Sequence, residues 1–411
     1  MNELNLLSII KYREKWGIIY MNIKELSLKY KDYMIELRRY FHRHPELSFQ
    51  EYATSKKIKE ELDKMGIPYK SGDNNTAILA TIEGFKKGKT IALRSDLDAL
   101  KVTECTNLEY KSENIGSMHA CGHDAHMASL LGAAKILKDI QNDIPGTVKL
   151  IFQPGEEMGK GAEKLIEQGF LDGIDSIFGI HVISDIKCGK ISIDAGPRMA
   201  SADNFKIKVI GKGCHGARPN QGTDALVTAS SIVLNLQSLV SREIDPLEPV
   251  VVTIGTLISG TQYNIVADSA EMTGTARCFN NEVRKKIPEI MKRIIENTAK
   301  AYGAEAMLEY DFAVAPVIND SKLSVIGEAA AEKILSKDAL LKNTKLLISE
   351  DFSSYLAKVP GIFALVGAGN EKKEAIYPHH NEKFTVDEDC LQISSALHAQ
   401  YAYDYLNAND L

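Results

Sequence analysis

His119-Ala120-Cys121-Gly122-His123-Asp124-Ala125-His126 is the stretch from which the rest of the chain can be read. It opens Met127-Ala128-Ser129-Leu130-Leu131-Gly132-Ala133-Ala134, a run with the small, apolar character of a buried helix start. A Cys-x-His pair just before a helix can aim a thiolate and an imidazole at one metal ion. Zinc-like ions take about four ligands, so the others must come from elsewhere in the chain. Gly155-Glu156-Glu157, Gly179-Ile180-His181 and Pro378-His379-His380 offer them.

Working outward, the surrounding pattern is α/β. An apolar stripe predicts a helix over 23–41, broken by His44-Pro45, and a second helix over 51–65 ending at Gly66. Strands are expected at 77–82 and 90–94, the latter running into Asp96-Leu97-Asp98. A helix over 125–139, a strand over 147–152 ending before Glu156-Glu157, a helix over 162–168 and a strand over 176–181 follow. Strands alternating with helices, each strand tip carrying a polar residue, predict a mostly parallel sheet with its site at the strand ends.

The pattern then changes. Strand 205–210, helix 223–242, strands 250–257 and 270–277, helix 281–302 and strand 306–312 follow the β-α-β-β-α-β order of a ferredoxin-like split unit. Gly196-Pro197 and Ala315-Pro316 are candidate hinges, and the helix face with Val227, Ile232, Leu236 and Leu239 can pack on its own sheet or on another subunit. Afterwards the first pattern resumes: helix 321–335, strand 345–348, helix 350–356, strand 362–366 and a last helix over 386–406. This divides the chain into a discontinuous domain of 22–197 and 314–411, an inserted domain of 198–313, and an N-terminal extension of 1–21. The extension lacks the cleavage site of a secretory signal and reads as an appended leader, with Met21 as an alternative start.

Composition narrows the function. Of the 411 residues 44% are apolar and 25% charged, as in ordinary globular proteins, and the net charge of -6 provides no basic field for nucleic acid or an anionic membrane. The six cysteines lack paired spacing, which argues against a secreted disulfide framework and for a reducing, cytoplasmic setting.

Cys121, His123, Glu157, His181 and His380 are one ligand too many for a single tetrahedral ion. They suit two ions about 3.5–4 Å apart, with the Cys121 thiolate as the bridge. Two divalent ions bring more positive charge than Cys121 and Glu157 return, leaving a field that acidifies water. Glu156, on the opposite face from Glu157 if the backbone there is extended, is placed to take the proton. A lone His at a strand tip is usually unrelated to metal; the five together at strand ends of one sheet are not easily fortuitous. His119 and His126 are left as supporting residues.

At this point the chain resembles the M20 metallopeptidases, in the branch of N-acyl-amino-acid amidohydrolases that includes hippurate and auxin-conjugate hydrolases. Five motifs carry the likeness, which spans 23–406: Arg94-Ser95-Asp96-Leu97-Asp98-Ala99-Leu100, His119-Ala120-Cys121-Gly122-His123-Asp124, Phe152-Gln153-Pro154-Gly155-Glu156-Glu157, Gly211-Lys212-Gly213-Cys214-His215-Gly216-Ala217-Arg218-Pro219 and Ser349-Glu350-Asp351-Phe352. The resemblance implies a zinc-peptidase-like α/β catalytic domain with an inserted ferredoxin-like lid and dimerisation domain. It implies that Cys121 bridges, that His123 and His181 complete one ion, that Glu157 and His380 complete the other, and that Glu156 is the general base. Asp96 would orient His123. His215 and Asn264 of the insert would meet the carbonyl oxygen, and Arg277 the substrate carboxylate. Register with Phe384 selects His380 over His379. Lys101, Cys214, Ala267 and the Asn381-Glu382 pair depart from the family pattern in substrate-facing loops, which leaves the specificity open.

The expected activity is therefore a metal-dependent amidohydrolase that splits N-acetyl, N-benzoyl or similar amino acids into a carboxylate and a free amino acid. A dipeptidase or carboxypeptidase of the same fold is the alternative, and a non-catalytic binding protein a third. The expected cofactors are two divalent ions per subunit, zinc or manganese, with nickel or cobalt compatible. The expected partners are a small N-acyl amino acid or short peptide and further copies of the chain in a homodimer or higher homo-oligomer, with no nucleic acid and no membrane.

Overall fold

The computed structural model describes residues 10–14, 17–73 and 76–408, with side chains from Asn22 onward. The 1–21 extension lies largely outside the described residues; within it Ile10–Glu14 and Gly17–Met21 pair as an antiparallel ladder. The chain divides into two compact units. The first is Met1–Gly196, Ile318–Thr344 and Ser354–Leu411; the second is Pro197–Val317 with Lys345–Ser353.

The first unit is built on an eight-stranded sheet. Across it the strands run Leu340–Leu341, Ile191–Ser192, Gly361–Gly369, Ser176–Lys187, Lys86–Asp96, Pro145–Gln153, Ile78–Glu83 and Tyr69–Ser71. The four from Gly361–Gly369 to Pro145–Gln153 are mutually parallel, while Ile78–Glu83 and Tyr69–Ser71 extend the sheet antiparallel. Gly361–Gly369 is buried at every position, as a parallel strand covered on both faces must be. Helices His123–Asp139 and Asp389–Asn407 form one covering layer on the sheet and are themselves buried nearly all round. They pack closely: a Cβ on Gly132 would lie 2.8 Å from Ser395 Oγ and 2.3 Å from Met34 Sδ.

The stripe expected as one helix over 23–41 forms two. Asn22 and Glu25 cap Ile23–Lys29 reciprocally, Tyr30 ends it, and Lys31–Arg43 continues. The expected strand over 345–348 is absent. After Leu341 the chain turns at Asn343, whose φ is +59°, and only Leu346 keeps a bridge, to Met199. Leu347 and Ile348 are exposed, so the stretch has no buried face to hold a strand there.

The second unit has a four-stranded antiparallel sheet in the order Val250–Ser259, Ser269–Cys278, Ala202–Ile210, Glu305–Val314. Helices Ala225–Ser238 and Asn281–Ala301 cover one face, their first turns capped by Asp224 and Asn280. Chain order against spatial order is that of the split β-α-β unit. Ile232, Leu236 and Leu239 pack on this sheet with Ile207, Met272 and Ile295, whereas Val227 is exposed beside Leu226. Among the described residues no helix is long and apolar enough to cross a membrane.

Candidate metal centre

The carboxyl ends of the central strands place the site. Strand Lys86–Asp96 delivers Asp98 two residues past its end, and the Asp98 carbonyl accepts a hydrogen bond from His123 Nδ1 at 2.8 Å. That bond fixes the tautomer and leaves Nε2 to face the cluster. His181, inside strand Ser176–Lys187, is held in the same way: its Nδ1 donates to the Val182 carbonyl at 2.8 Å, and its Nε2 lies 3.5 Å from Cys121 Sγ.

Gly122 lets Cys121 and His123 converge. It has φ +92°, and a Cβ there would meet Val182 Cγ2 at 2.5 Å. Gly155, at φ +71° with the Phe49 ring against it, starts a short 3-10 turn over Glu156–Met158. The condition for placing Glu156 and Glu157 on opposite faces, an extended backbone, is therefore not met: the pair sits in a turn. The two carboxylates diverge by a 3-10 rotation rather than by strand alternation, and both stay beside His123. The turn is fixed from below by the Asp98 carboxylate, which accepts the Glu156 and Glu157 backbone N–H groups at 3.1 and 3.0 Å and the Ser48 hydroxyl at 2.6 Å.

Two of the groups of ligand atoms that lie within 4.8 Å of one another are Cys121, His123 and His181, and Cys121, Glu157 and His380. Cys121 belongs to both. His380, at φ +65°, donates its backbone N–H to the Ala120 carbonyl at 2.8 Å and sets Nε2 3.6 Å from Glu157 Oε2. His379 instead donates Nε2 to the Val182 carbonyl at 2.9 Å. The donors fit two divalent ions: His123 Nε2 and Glu157 Oε1 are buried without a hydrogen-bond partner, and thiolate, imidazole and carboxylate together suit such ions.

The profile described as Peptidase family M20/M25/M40 matches residues 92–404. The chain belongs to that family. Thermostable carboxypeptidase 2 of Saccharolobus solfataricus is 42% identical over 94% of this chain and 98% of its own length. N-acetyl-L-cysteine deacetylase of Bacillus subtilis is 37% identical over 92% and 89%. A Bacillus subtilis structure described as a dinuclear metal-binding peptidase of the M20 family superposes with a TM-score of 0.83 at 36% identity, covering 92% of this chain and 99% of that one. The family read from the motifs is thus the family found, and this M20 protein is a metal-dependent hydrolase with a centre for two divalent ions.

Asp96 does something other than orient His123 in the M20 centre. Its Oδ1 accepts from His126 Nδ1 at 2.7 Å and its Oδ2 from Arg94 at 2.9 Å, while Oδ2 stays 3.7 Å from His123 Nε2. The Asp98 carbonyl already holds His123, so the carboxylate is left to His126, one helical turn on. His126 Nε2 in turn accepts the Val182 backbone N–H at 2.9 Å, so Asp96 steadies the strand bearing His181. His119 is buried with both ring nitrogens unpartnered, and burial holds its pKa down to about 4.

The field of the M20 centre calls for cations. Burial works against a charge on His123, yet Asp96, Asp98 and Glu157 outweigh it and push the imidazole up to about 10. Burial pushes Glu157 up to about 7 and raises the Cys121 thiol well above its usual range. Burial and neighbouring imidazoles hold His181 well below the ordinary histidine value. Protons occupy what a divalent ion would neutralise, so metal uptake displaces them.

The three residues expected from the insert lie in the second unit. Cys214–His215 pairs with Ile265–Val266, and the Gly216 N–H donates to the Asn264 carbonyl at 2.8 Å, which sets His215 and Asn264 side by side and exposed. His215 Nδ1 accepts the Ala217 N–H at 3.0 Å, leaving Nε2 as an outward donor. Arg277 is half-buried and spends one Nη1 bond on the Leu347 carbonyl at 3.2 Å. Asp98 is the functional residue that the motif reading left without a role. Its work runs through the backbone of residues far along the chain, and its only sequence signal is the Asp-x-Asp spacing past a strand.

Proposed function

We propose that this protein hydrolyses the amide bond of N-acyl amino acids, releasing a carboxylate and a free amino acid. The observation that carries the reading is the sharing of Cys121 between two ligand groups with Glu156 beside them. Cys121, His123 and His181 would hold one ion and Cys121, Glu157 and His380 the other, zinc or manganese by preference. Bound there, the ions supply the Lewis acidity that makes water a nucleophile near neutral pH. Glu156 takes the attacking water's proton and returns it to the leaving nitrogen, its position fixed through the Asp98-held turn. His215 Nε2–H and the Asn264 amide donate to the developing oxyanion, and the remaining N–H groups of Arg277 pair with the α-carboxylate.

A carboxypeptidase or dipeptidase reading is favoured by the likeness to the thermostable carboxypeptidase. An aminopeptidase would need a carboxylate to pair with a free α-amino group. Assembly through the second unit fits its surface. Edge strand Val250–Ser259 exposes Val251, Leu257 and Ile258, and the helix Ala225–Ser238 exposes Leu226, Val227 and Leu234, which suits a homodimer. A reducing, cytoplasmic setting agrees with six free cysteines and with a Cys121 that works as a thiolate.

The test is release of amino acid from N-acetyl and N-benzoyl amino acids and from dipeptides by metal-stripped protein, with zinc, manganese, cobalt or nickel restored. Metal-dependent turnover of the N-acyl substrates supports the proposal. Cleavage of peptides alone moves the assignment to a peptidase.

A further inference from the structure

Behind the metal centre lies a chain of buried charges that the proposed chemistry does not use. Arg38, on helix Lys31–Arg43, is 1% exposed. Its Nε donates to Asp124 Oδ2 at 2.8 Å, Nη1 to the Tyr110 hydroxyl at 2.8 Å and to Glu388 at 3.4 Å, and Nη2 to Thr385 at 3.5 Å. His42, one turn on, joins the same Asp124 oxygen at 2.7 Å through Nδ1 and reaches Glu104 through Nε2 at 3.2 Å. A guanidinium taken out of water is costly unless its N–H groups are paired, and the best-attested use of such buried ion pairs is to fix register between segments.

The segments held here are informative. Asp124 adjoins His123 and lies three residues past Cys121. Thr385 and Glu388 continue the segment that carries His380. The 101–117 loop is tied into the same assembly, because Glu104 also accepts the Ser112 N–H at 2.6 Å and Cys105 donates its N–H to the Glu382 carbonyl at 2.8 Å. Arg38 thus bonds at once to the piece of chain bearing Cys121 and to the piece bearing His380. The Cys121–His123–His181 group has anchors of its own in the Asp98 and Val182 carbonyls. The Cys121–Glu157–His380 group has one such anchor, the His380 N–H on the Ala120 carbonyl, and beyond it needs the two pieces kept in register.

We propose that Arg38 is a positioning residue, which clamps the His380 segment to the Cys121–His123 segment and so sets the affinity of the Glu157–His380 metal position selectively. The proposal rests on the two-ion reading above. It makes a geometric demand on the guanidinium fork, so charge alone does not satisfy it.

The test is zinc titration of the full chain after metal removal, with bound zinc counted per chain and thermal unfolding of the metal-free protein recorded. Wild type, Arg38→Lys and the Arg38→Met/Asp124→Asn pair are compared; the pair removes both buried charges, so that folding survives if Arg38→Met alone fails. Both variants should keep one zinc at wild-type affinity and bind the second at least about tenfold more weakly. Binding of both zincs at wild-type affinity in the variants overturns the clamp. So does an equal weakening of both positions that tracks a lower unfolding temperature, which marks general destabilisation. Wild-type protein that takes up fewer than two zincs refutes the two-ion reading itself, and the clamp with it.

Discussion

Asp98→Asn should disturb the centre without touching a ligand. The Asp98 carboxylate accepts two backbone N–H groups and the Ser48 hydroxyl while 1% exposed. Burial works against its charge, but His123, Ser48 and the Glu157 N–H prevail and hold it below the usual carboxylate range. Asparagine has the same shape but offers one acceptor oxygen, and its amide would face an N–H donor. Hydrogen bonds to a charged group are worth about 1.5–3 kcal/mol each, and a buried donor left unpaired costs a similar amount. A loss of about 2–4 kcal/mol follows, or roughly 3–7 °C in unfolding temperature for a unit of this size. Displacing the Glu156–Met158 turn should lower metal affinity by about 10–100-fold. The His123 tautomer should survive, because its partner is the Asp98 backbone carbonyl. Thermal unfolding of the metal-free protein and a zinc titration measure the two effects. An Asp98→Asn protein that melts within about 1 °C of wild type and binds zinc equally well would refute the reasoning.

Other predictions follow from the same geometry. Glu156→Gln should lower turnover by about 10²–10⁴-fold with two ions still bound; near-full activity with normal metal content would remove Glu156 as the base. His215→Ala should lower kcat by about 10²–10³-fold and leave metal content unchanged, and an unaffected kcat would remove it from the oxyanion. For His42, burial and Arg38 oppose its charge, but Asp124 and Glu104 outweigh them and raise its pKa. A raised pKa means its stabilisation is full below about pH 6.5 and is lost as pH rises through the higher folded value. Metal-free wild type should therefore lose stability over that upper range relative to His42→Gln; parallel stability–pH curves would contradict this.

The architecture was legible where periodicity and chemistry agreed. Apolar strands expected over 90–94, 147–152 and 176–181, with polar residues at or just past their tips, announce a parallel sheet with its site at the strand ends; the sheet order agrees, although His181 lies inside the longer strand Ser176–Lys187. Cys121, His123, Glu157, His181 and His380 are singled out by residue type, each being a metal donor, and their ligand atoms come together in two groups although His123 opens a helix and His181 lies inside a strand. What failed was assignment between near neighbours. Asp96 has two imidazoles within reach, His123 and His126, and helical phase rather than sequence distance decides which it holds. Glu156 and Glu157 fall on opposite faces only of an extended backbone, and Gly155 at positive φ makes a turn instead. Arg38 and Asp98 act through contacts 86 and 58 residues away, which no local pattern records.

Crystals of the metal-loaded protein, with anomalous diffraction collected at the absorption edge of the bound ion, test the central claim most directly. The account predicts two peaks about 3.5–4 Å apart with Cys121 Sγ between them, His123 and His181 on one and Glu157 and His380 on the other. A single peak, or one seated on Asp96 and His126 with Cys121 unligated, would contradict it.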